Sequence, residues 1–230
     1  MLKHFLPLIA LSILLLLLSA CGDGENMLTG TNPAPTMAQP ASTAPALSAQ
    51  GTFAEYPLPQ DHSSIMRPVV DHEGRVWFGE MGRNYLAYFD PQTQRFHQMT
   101  PPQGANGIMG IAVASDDTIW FAEQYANYIG HYFPTTGRYQ IYHLPVLHKP
   151  DPGDKTKTLS LPTAPNDIVL DKQGNVWFTE MNADAIGVLH VKTGQFTHYP
   201  LSSPPTIQNL NPYGITIDPQ GNIWFTEANN

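Results

Sequence analysis

The chain has 230 residues, with 11 Lys and Arg against 19 Asp and Glu and a formal charge of −8. So acidic a chain lacks the clustered cations that neutralise phosphates, which excludes nucleic acid as an expected partner. Its single cysteine excludes an internal disulfide, and it has no Gly-rich phosphate loop, Gly-x-Ser-x-Gly elbow or His-Glu-x-x-His.

Residues 1–21, "MLKHFLPLIALSILLLLLSAC", combine one Lys with an apolar run from Phe5 to Leu18. That run is shorter than the ~20 residues of a membrane-spanning helix and reads as a signal peptide. Its end, "LSAC" 18–21, resembles the bacterial lipoprotein processing box, in which the cysteine is lipidated and becomes the new N-terminus. The expectation is a lipid on Cys21 that holds the protein to a membrane in the bacterial cell envelope, outside the cytoplasm. A plain secretory signal with an idle Cys21 is the lesser alternative. Residues 22–51 are Pro, Ala, Thr and Ser with few bulky apolar groups, a disordered tether.

From residue 52 onward the chain repeats itself. "GRVWFGEMGR" 74–83, "DTIWFAEQYA" 117–126, "GNVWFTEMNA" 174–183 and "GNIWFTEANN" 221–230 contain all four tryptophans, Trp77, Trp120, Trp177 and Trp224. The Trp-to-Trp spacings of 43, 57 and 47 lie in the range of propeller blades or helical arrays. Local pattern decides between them. An apolar run precedes each phrase, as in "GIAVA" 110–114, "DIVLD" 167–171 and "GITID" 214–218, and two more follow it, such as "YIGHYF" 128–133 and "RYQIYH" 138–143. These runs are rich in β-branched and aromatic residues and bounded by Gly, Pro, Asn or Asp, the signature of strands and hairpins. Four short antiparallel strands per repeat predict an all-β fold, a β-propeller of four-stranded blades.

Two details bear on ring closure. "FAEYPLP" 53–59 matches the fourth strand of the repeat and has no blade ahead of it, so it is expected to close the last blade. The count is then three complete blades, the first two strands of a fourth and one closing strand, which predicts a longer parent chain, propellers having about 4–8 blades. The longest repeat carries its surplus in "VLHKPDPGDKTKTLS" 146–160, a long loop expected to act as a lid over one face.

Antiparallel alternation places the residues just before each first strand and the Glu three after each Trp on one rim. Glu80, Glu123, Glu180 and Glu227 then have two readings. One is a ring of carboxylates able to hold a hard cation, Mg2+ or Ca2+. The other is structural, each Glu capping the hairpin that follows by accepting backbone N–H bonds; it is favoured because a residue needed in every blade is more simply part of the blade. The nine histidines show no metal-ligand spacing: His97, His143 and His198 fall on fourth strands at the exposed outer edge, and only His148, in the insertion, is a candidate for the mouth.

"PYGITIDPQGNIWFTE" 212–227, with "AIGVLHVKTGQFTHYPL" 185–201, resembles the virginiamycin B lyase (streptogramin lyase) family of seven-bladed propellers, over about residues 51–230. The resemblance implies a Mg2+-dependent, monomeric lyase that opens a cyclic depsipeptide ester by elimination, with the small cyclic peptide bound at the propeller mouth. In that family a Glu-x-His just before a first strand and a Glu after the Trp-Phe carry the chemistry. The positions matching the His are Met66, Met109, Asn166 and Tyr213, and those matching the Glu two earlier are Ser64, Gly107, Ala164 and Asn211, so no Glu-x-His is present. The catalytic residues are therefore expected beyond Asn230. Tyr213 resembles a family Tyr that lines the substrate mouth, and the rim candidates are Tyr213, Asn166, Met109 and the four glutamates. Two alternatives stand beside the lyase: a non-catalytic envelope propeller that binds a ligand or protein through the same face, and a metal-dependent hydrolase or lactonase.

Overall fold

Each tryptophan phrase forms a strand with a partner on either side wherever the repeat is complete. The computed structural model describes residues 53–102, 107–151, 153–154, 156–202 and 209–229. The first blade is β1 (Ile65–Val70), β2 (Val76–Glu80), β3 (Tyr85–Asp90) and β4 (Arg95–Met99); the second is β5 (Ile108–Val113), β6 (Ile119–Glu123), β7 (Tyr128–Phe133) and β8 (Arg138–His143). A separate hairpin follows, β9 (Val146–Pro150) and β10 (Thr158–Pro162). The third blade is β11 (Pro165–Leu170), β12 (Val176–Glu180), β13 (Ala185–His190) and β14 (Gln195–Pro200), and β15 (Pro212–Ile217) pairs with β16 (Ile223–Glu227). Every blade runs antiparallel in chain order and no helix occurs among the described residues, the all-β propeller architecture. First strands of successive blades are neighbours, so β1, β5, β11 and β15 form the inner wall.

Two expectations are corrected. "FAEYPLP" forms no strand; Phe53 is 91% exposed, and Tyr56 instead lays its ring on Phe89 of β3 at 4.6 Å. The 146–160 insertion is not a loop but the β9–β10 hairpin, because the alternating "VLHKP" and "TLSLP" pair in full register from Val146↔Pro162 to Pro150↔Thr158. The signal peptide, Cys21 and tether lie outside the described residues.

The repeated phrase has a physical basis in the turn before it. Asp71 Oδ1 accepts the backbone N–H of Glu73 and Arg75, while Oδ2 accepts the Arg75 Nε and, at 2.7 Å, the Trp77 indole N–H. Asp171 holds Trp177 in the same way at 3.1 Å, and Asp218 holds Trp224 at 2.9 Å. One carboxylate thus ties the β-turn, whose left-handed residue is Gly74, Gly174 or Gly221, to the rotamer of the tryptophan six residues on. Burial pushes the Asp71 carboxyl up, but the hydrogen bonds from Trp77 and Arg75 outweigh it and hold the group below its ordinary range. Asp171 behaves likewise, and bonds from Trp224 and Asn222 hold Asp218 at about 2. Depressed carboxyls of this kind contribute stability that is present above the ordinary carboxylate pKa and lost as pH falls through the lowered values. The second blade departs: Ala114 stands where the aspartate would be. There Trp120 stacks on His131 at 3.8 Å, and the His131 ring is fixed by Thr118 at 2.7 Å.

The core lies between blades. Trp77 and Leu86 of the first blade pack with Ile108, Ile111, Phe121 and Tyr128 of the second, and Trp120 and Ile129 of the second pack with Ile168, Val176 and Phe178 of the third. On the opposite side of each sheet, Phe121 and Phe178 lie over Gly130 and Gly187, where an added Cβ would come within 2.1 and 2.3 Å of the ring. That is why the Trp-Phe phrase is followed by Ile-Gly in those two blades. Tryptophan burial follows the presence of a next blade: Trp77 is 0% exposed, Trp120 3%, Trp177 partly buried and Trp224 62%. Burial here is supplied by the neighbour, as in any stacked repeat. Accordingly Trp77→Ala is expected to destabilise by about 3–5 kcal/mol and Trp224→Ala by under about 1 kcal/mol. Denaturant unfolding of the two variants measures the difference.

Candidate functional site

The register confirms which groups share a rim. Ile65 pairs with Glu80, Ile108 with Glu123, Pro165 with Glu180 and Pro212 with Glu227, so the start of every inner strand meets the glutamate end of the second strand. Just inside this rim each inner strand is bulged, between Met66 and Val69, Ile108 and Ile111, Pro165 and Ile168, and Pro212 and Ile215. A bulge places two residues opposite one and re-aims their side chains. The positions matched to the family His, Met66, Met109, Asn166 and Tyr213, therefore all fall at bulges.

The glutamates do not form a ring around the mouth. Glu80, Glu123 and Glu180 are fully buried, one per blade, because they share the face of the strand that carries the inward Phe. Glu80 accepts the Gln98 side-chain amide at 2.6 Å, and Glu180 meets His198 Nδ1 at 2.7 Å. Gln98 and His198 occupy equivalent positions on their fourth strands, opposite Ala87 and Gly187. The equivalent in the second blade is Ile141, opposite Gly130, which offers no such bond. Glu123 accepts the Ala126 backbone N–H, but burial dominates and pushes its carboxyl up to about 8. Burial raises Glu180 too, opposed by His198. Hairpin capping thus accounts for Glu123, whereas Glu80 and Glu180 are held by fourth-strand side chains. Glu227, on the last strand pair, is only partly buried. Among the described residues no group of three His, Cys, Asp or Glu could hold a metal ion.

The histidines also resolve. His198 is not simply an outer-edge residue, since it reaches Glu180, while His97 is exposed and stacks on Tyr88 at 4.5 Å. His148 is exposed and bonds Ser160 across the β9–β10 hairpin.

What converges is a polar cluster on the inner wall. Asn166 is fully buried and donates to the Tyr213 carbonyl at 2.8 Å; its own carbonyl accepts Arg67 Nη1 at 3.3 Å. Thr179 accepts the bulge N–H of Asp167 and donates to the same Tyr213 carbonyl, both at 3.0 Å. Asp167 accepts the Ile215 N–H at 3.0 Å and pairs with Arg67 at 2.9 Å. The Arg67 guanidinium lies 4.6 Å over the Tyr213 ring, which is 38% exposed. Met109 is buried and takes no part in these bonds. Of the rim candidates, Asn166 and Tyr213 are thus brought together, beside Arg67, Asp167 and Thr179, which sequence reading missed. The available signal was a charge inside an otherwise apolar inner strand, Arg67 in "IMRPVV" and Asp167 in "PNDIVL".

Since the folded Glu123 keeps its proton up to about pH 8 while the unfolded carboxyl releases it near 4.5, stability falls as pH rises through that window. Glu123→Gln retains an acceptor for Ala126 without the charge. It is expected to stabilise the fold by on the order of 2–4 kcal/mol at pH 8 and to have little effect at pH 5, measured by denaturant unfolding at both pH values.

No protein-family profile and no curated protein sequence matches the chain. Among solved structures it is similar to a catalytically inactive variant of virginiamycin B lyase from Staphylococcus aureus with quinupristin, with TM-score 0.59 and 27% identity, covering 74% of this chain and 51% of that one. A selenomethionine form of the Staphylococcus aureus lyase matches with TM-score 0.50 and 22% identity, covering 78% of this chain and 68% of the other. An extracellular domain of a protein assigned as a one-component system from B. thetaiotaomicron matches with TM-score 0.51 at 16% identity, covering 72% and 21%, and shares the fold. The chain spans about half the length of the quinupristin-bearing lyase chain. In blade architecture, and in a likeness that spans three-quarters of its length, the chain resembles virginiamycin B lyase.

Proposed function

We propose that this propeller acts on a cyclic depsipeptide at its inner-wall rim and opens the ring ester by elimination, as a lyase of the streptogramin type. The observation that carries the reading is the 27% identical fold match to the lyase with quinupristin. Its support within the molecule is the bulged inner wall, where Tyr213 offers an exposed aromatic face beside the bonded Asn166, Arg67 and Asp167. In such a reaction a base removes the proton α to the carbonyl and the electron pair forms a carbon–carbon double bond. The ester oxygen then departs from the β-carbon as carboxylate, so the ring opens with no change in mass. The chain holds no Glu-x-His, and the proton-removing base is assigned to none of its residues. Mg2+, which the resemblance implies, finds no fitting ligand set among the described residues, whose three buried glutamates stand in separate blades. No step is routed through it. A lipid on Cys21 and a place in the cell envelope belong to the same proposal.

One observation favours a second reading, a non-catalytic binding propeller: among the described residues, Asn166, Asp167 and Arg67 of the inner wall are bonded to one another or to Tyr213 and Ile215, and no free acid and base face each other there. Incubating the full chain with quinupristin and following the product by mass spectrometry tests both. A ring-opened product of unchanged mass is the expected outcome. A product heavier by one water points instead to a lactonase-type hydrolase, binding without turnover to the binding propeller, and absence of both binding and turnover overturns the proposal.

A further inference from the structure

The third residue of each inner strand occupies an equivalent position beside the bulge, and the four are Arg67, Gly110, Asp167 and Gly214. The glycines give the space that the charged pair uses. A Cβ on Gly110 would lie 2.7 Å from the Asp167 Cα, and one on Gly214 would lie 3.8 Å from Asp167 Oδ2. Arg67 reaches across them from the first blade to the third and fourth, where its Nη1 meets both Asp167 Oδ1 and the Asn166 carbonyl. Its Nη2 has one long contact, 3.5 Å to the Tyr213 carbonyl. A guanidinium carries five N–H donors. Among the described residues, Nε–H and the second Nη2–H of Arg67 therefore have no partner, while its side chain is 21% exposed. The backbone at Arg67 has φ +40°, a left-handed conformation for a non-glycine residue that also precedes Pro68. Such strain persists only where surrounding structure enforces it, and it gathers at functional sites.

We propose that Arg67 is the ligand-recognising residue of the mouth, donating its two spare N–H groups to an acyl oxygen while the Tyr213 ring receives an aromatic group of the same ligand. Asp167 sets the charge of that site. By pairing with Arg67 it cancels the positive charge, so the preferred ligand is a neutral aromatic ester or amide rather than an anion. The proposal rests on the rim being the ligand face and not on the lyase chemistry.

The test uses a small probe, N-acetylphenylalanine methyl ester, and its anionic counterpart, N-acetylphenylalanine, titrated into the full chain while the Arg67 Nε–H and Tyr213 ring resonances are followed by NMR. The ester is expected to shift both, to bind more tightly than the acid, and to lose about tenfold or more in affinity in Arg67→Met. Arg67→Lys, which keeps the charge but not the planar fork, is expected to recover only part of that loss. Asp167→Asn removes the neutralising charge and is expected to turn the preference toward the acid, a reversal that a merely structural role would not produce. Ester affinity unchanged in Arg67→Met, absence of any shift at Arg67, or an unaltered ester-to-acid preference in Asp167→Asn overturns the proposal. Quinupristin opened with Arg67 silent would leave the lyase reading standing alone, and Arg67 responding with quinupristin untouched would do the reverse.

Discussion

A single carboxylate in the turn between the first and second strands organises the blade. Asp71, Asp171 and Asp218 each bind the turn backbone through one oxygen and the indole N–H through the other. The indole is thereby fixed against its own sheet and presents a flat apolar surface to the next blade. A buried indole N–H without a partner would cost about 1–3 kcal/mol, so the aspartate both satisfies the donor and chooses the rotamer. The second blade fixes the rotamer alone and does so differently, by stacking Trp120 on His131, whose ring burial holds at about 4 and so keeps neutral near pH 7. Its neutrality suits an apolar slot.

With the slot built, the inner wall is free to vary. Beside the apolar packing of Ile108, Ile111 and Ile168, bonds at the bulges tie the third blade to the fourth: Tyr213 carbonyl to Asn166 and Thr179, Ile215 N–H to Asp167. The Thr of the Trp-Phe-Thr-Glu phrase has its reason here, since Thr179 and Thr226 accept the bulge N–H of Asp167 and Gly214. Gly79 and Ala122 stand at the corresponding positions of the first two blades, and no side-chain hydroxyl is offered there. Trp177 and Thr179 share one face of the same short strand, so the residue that builds the slot and the residue that bonds the next inner strand lie side by side.

The strands, their order and the shared rim were legible in the sequence because period-two alternation and turn residues are local. The hairpin of "VLHKP" and "TLSLP" was legible in principle, and was passed over because its strands pair only with each other, outside the repeat. The glutamates show where local reading stops. Their position on the rim followed from strand direction, but their burial followed from which face of the strand the next blade covers, and the difference between Glu80, Glu123 and Glu180 lies in Gln98, Ile141 and His198, some eighteen residues away in each case. The contact of Arg67 with Asp167 and Tyr213 spans 99 or more residues of sequence, and no spacing rule reaches that far.

In an array of near-identical repeats, a residue present in every blade is explained by the blade, and a residue that departs from the repeat requires another cause. Arg67 and Asp167 are such departures, charged where the other two inner strands have glycine, and each would be costly alone in a largely enclosed wall. Packing does not require them, since Gly110 and Gly214 fill the same role in their own blades without charge. Their mutual bond removes most of the cost of enclosing them. It leaves a fork of donors at the lip of the inner wall, held in a strained backbone beside an exposed ring, an arrangement that ties three blades together and still presents donors outward.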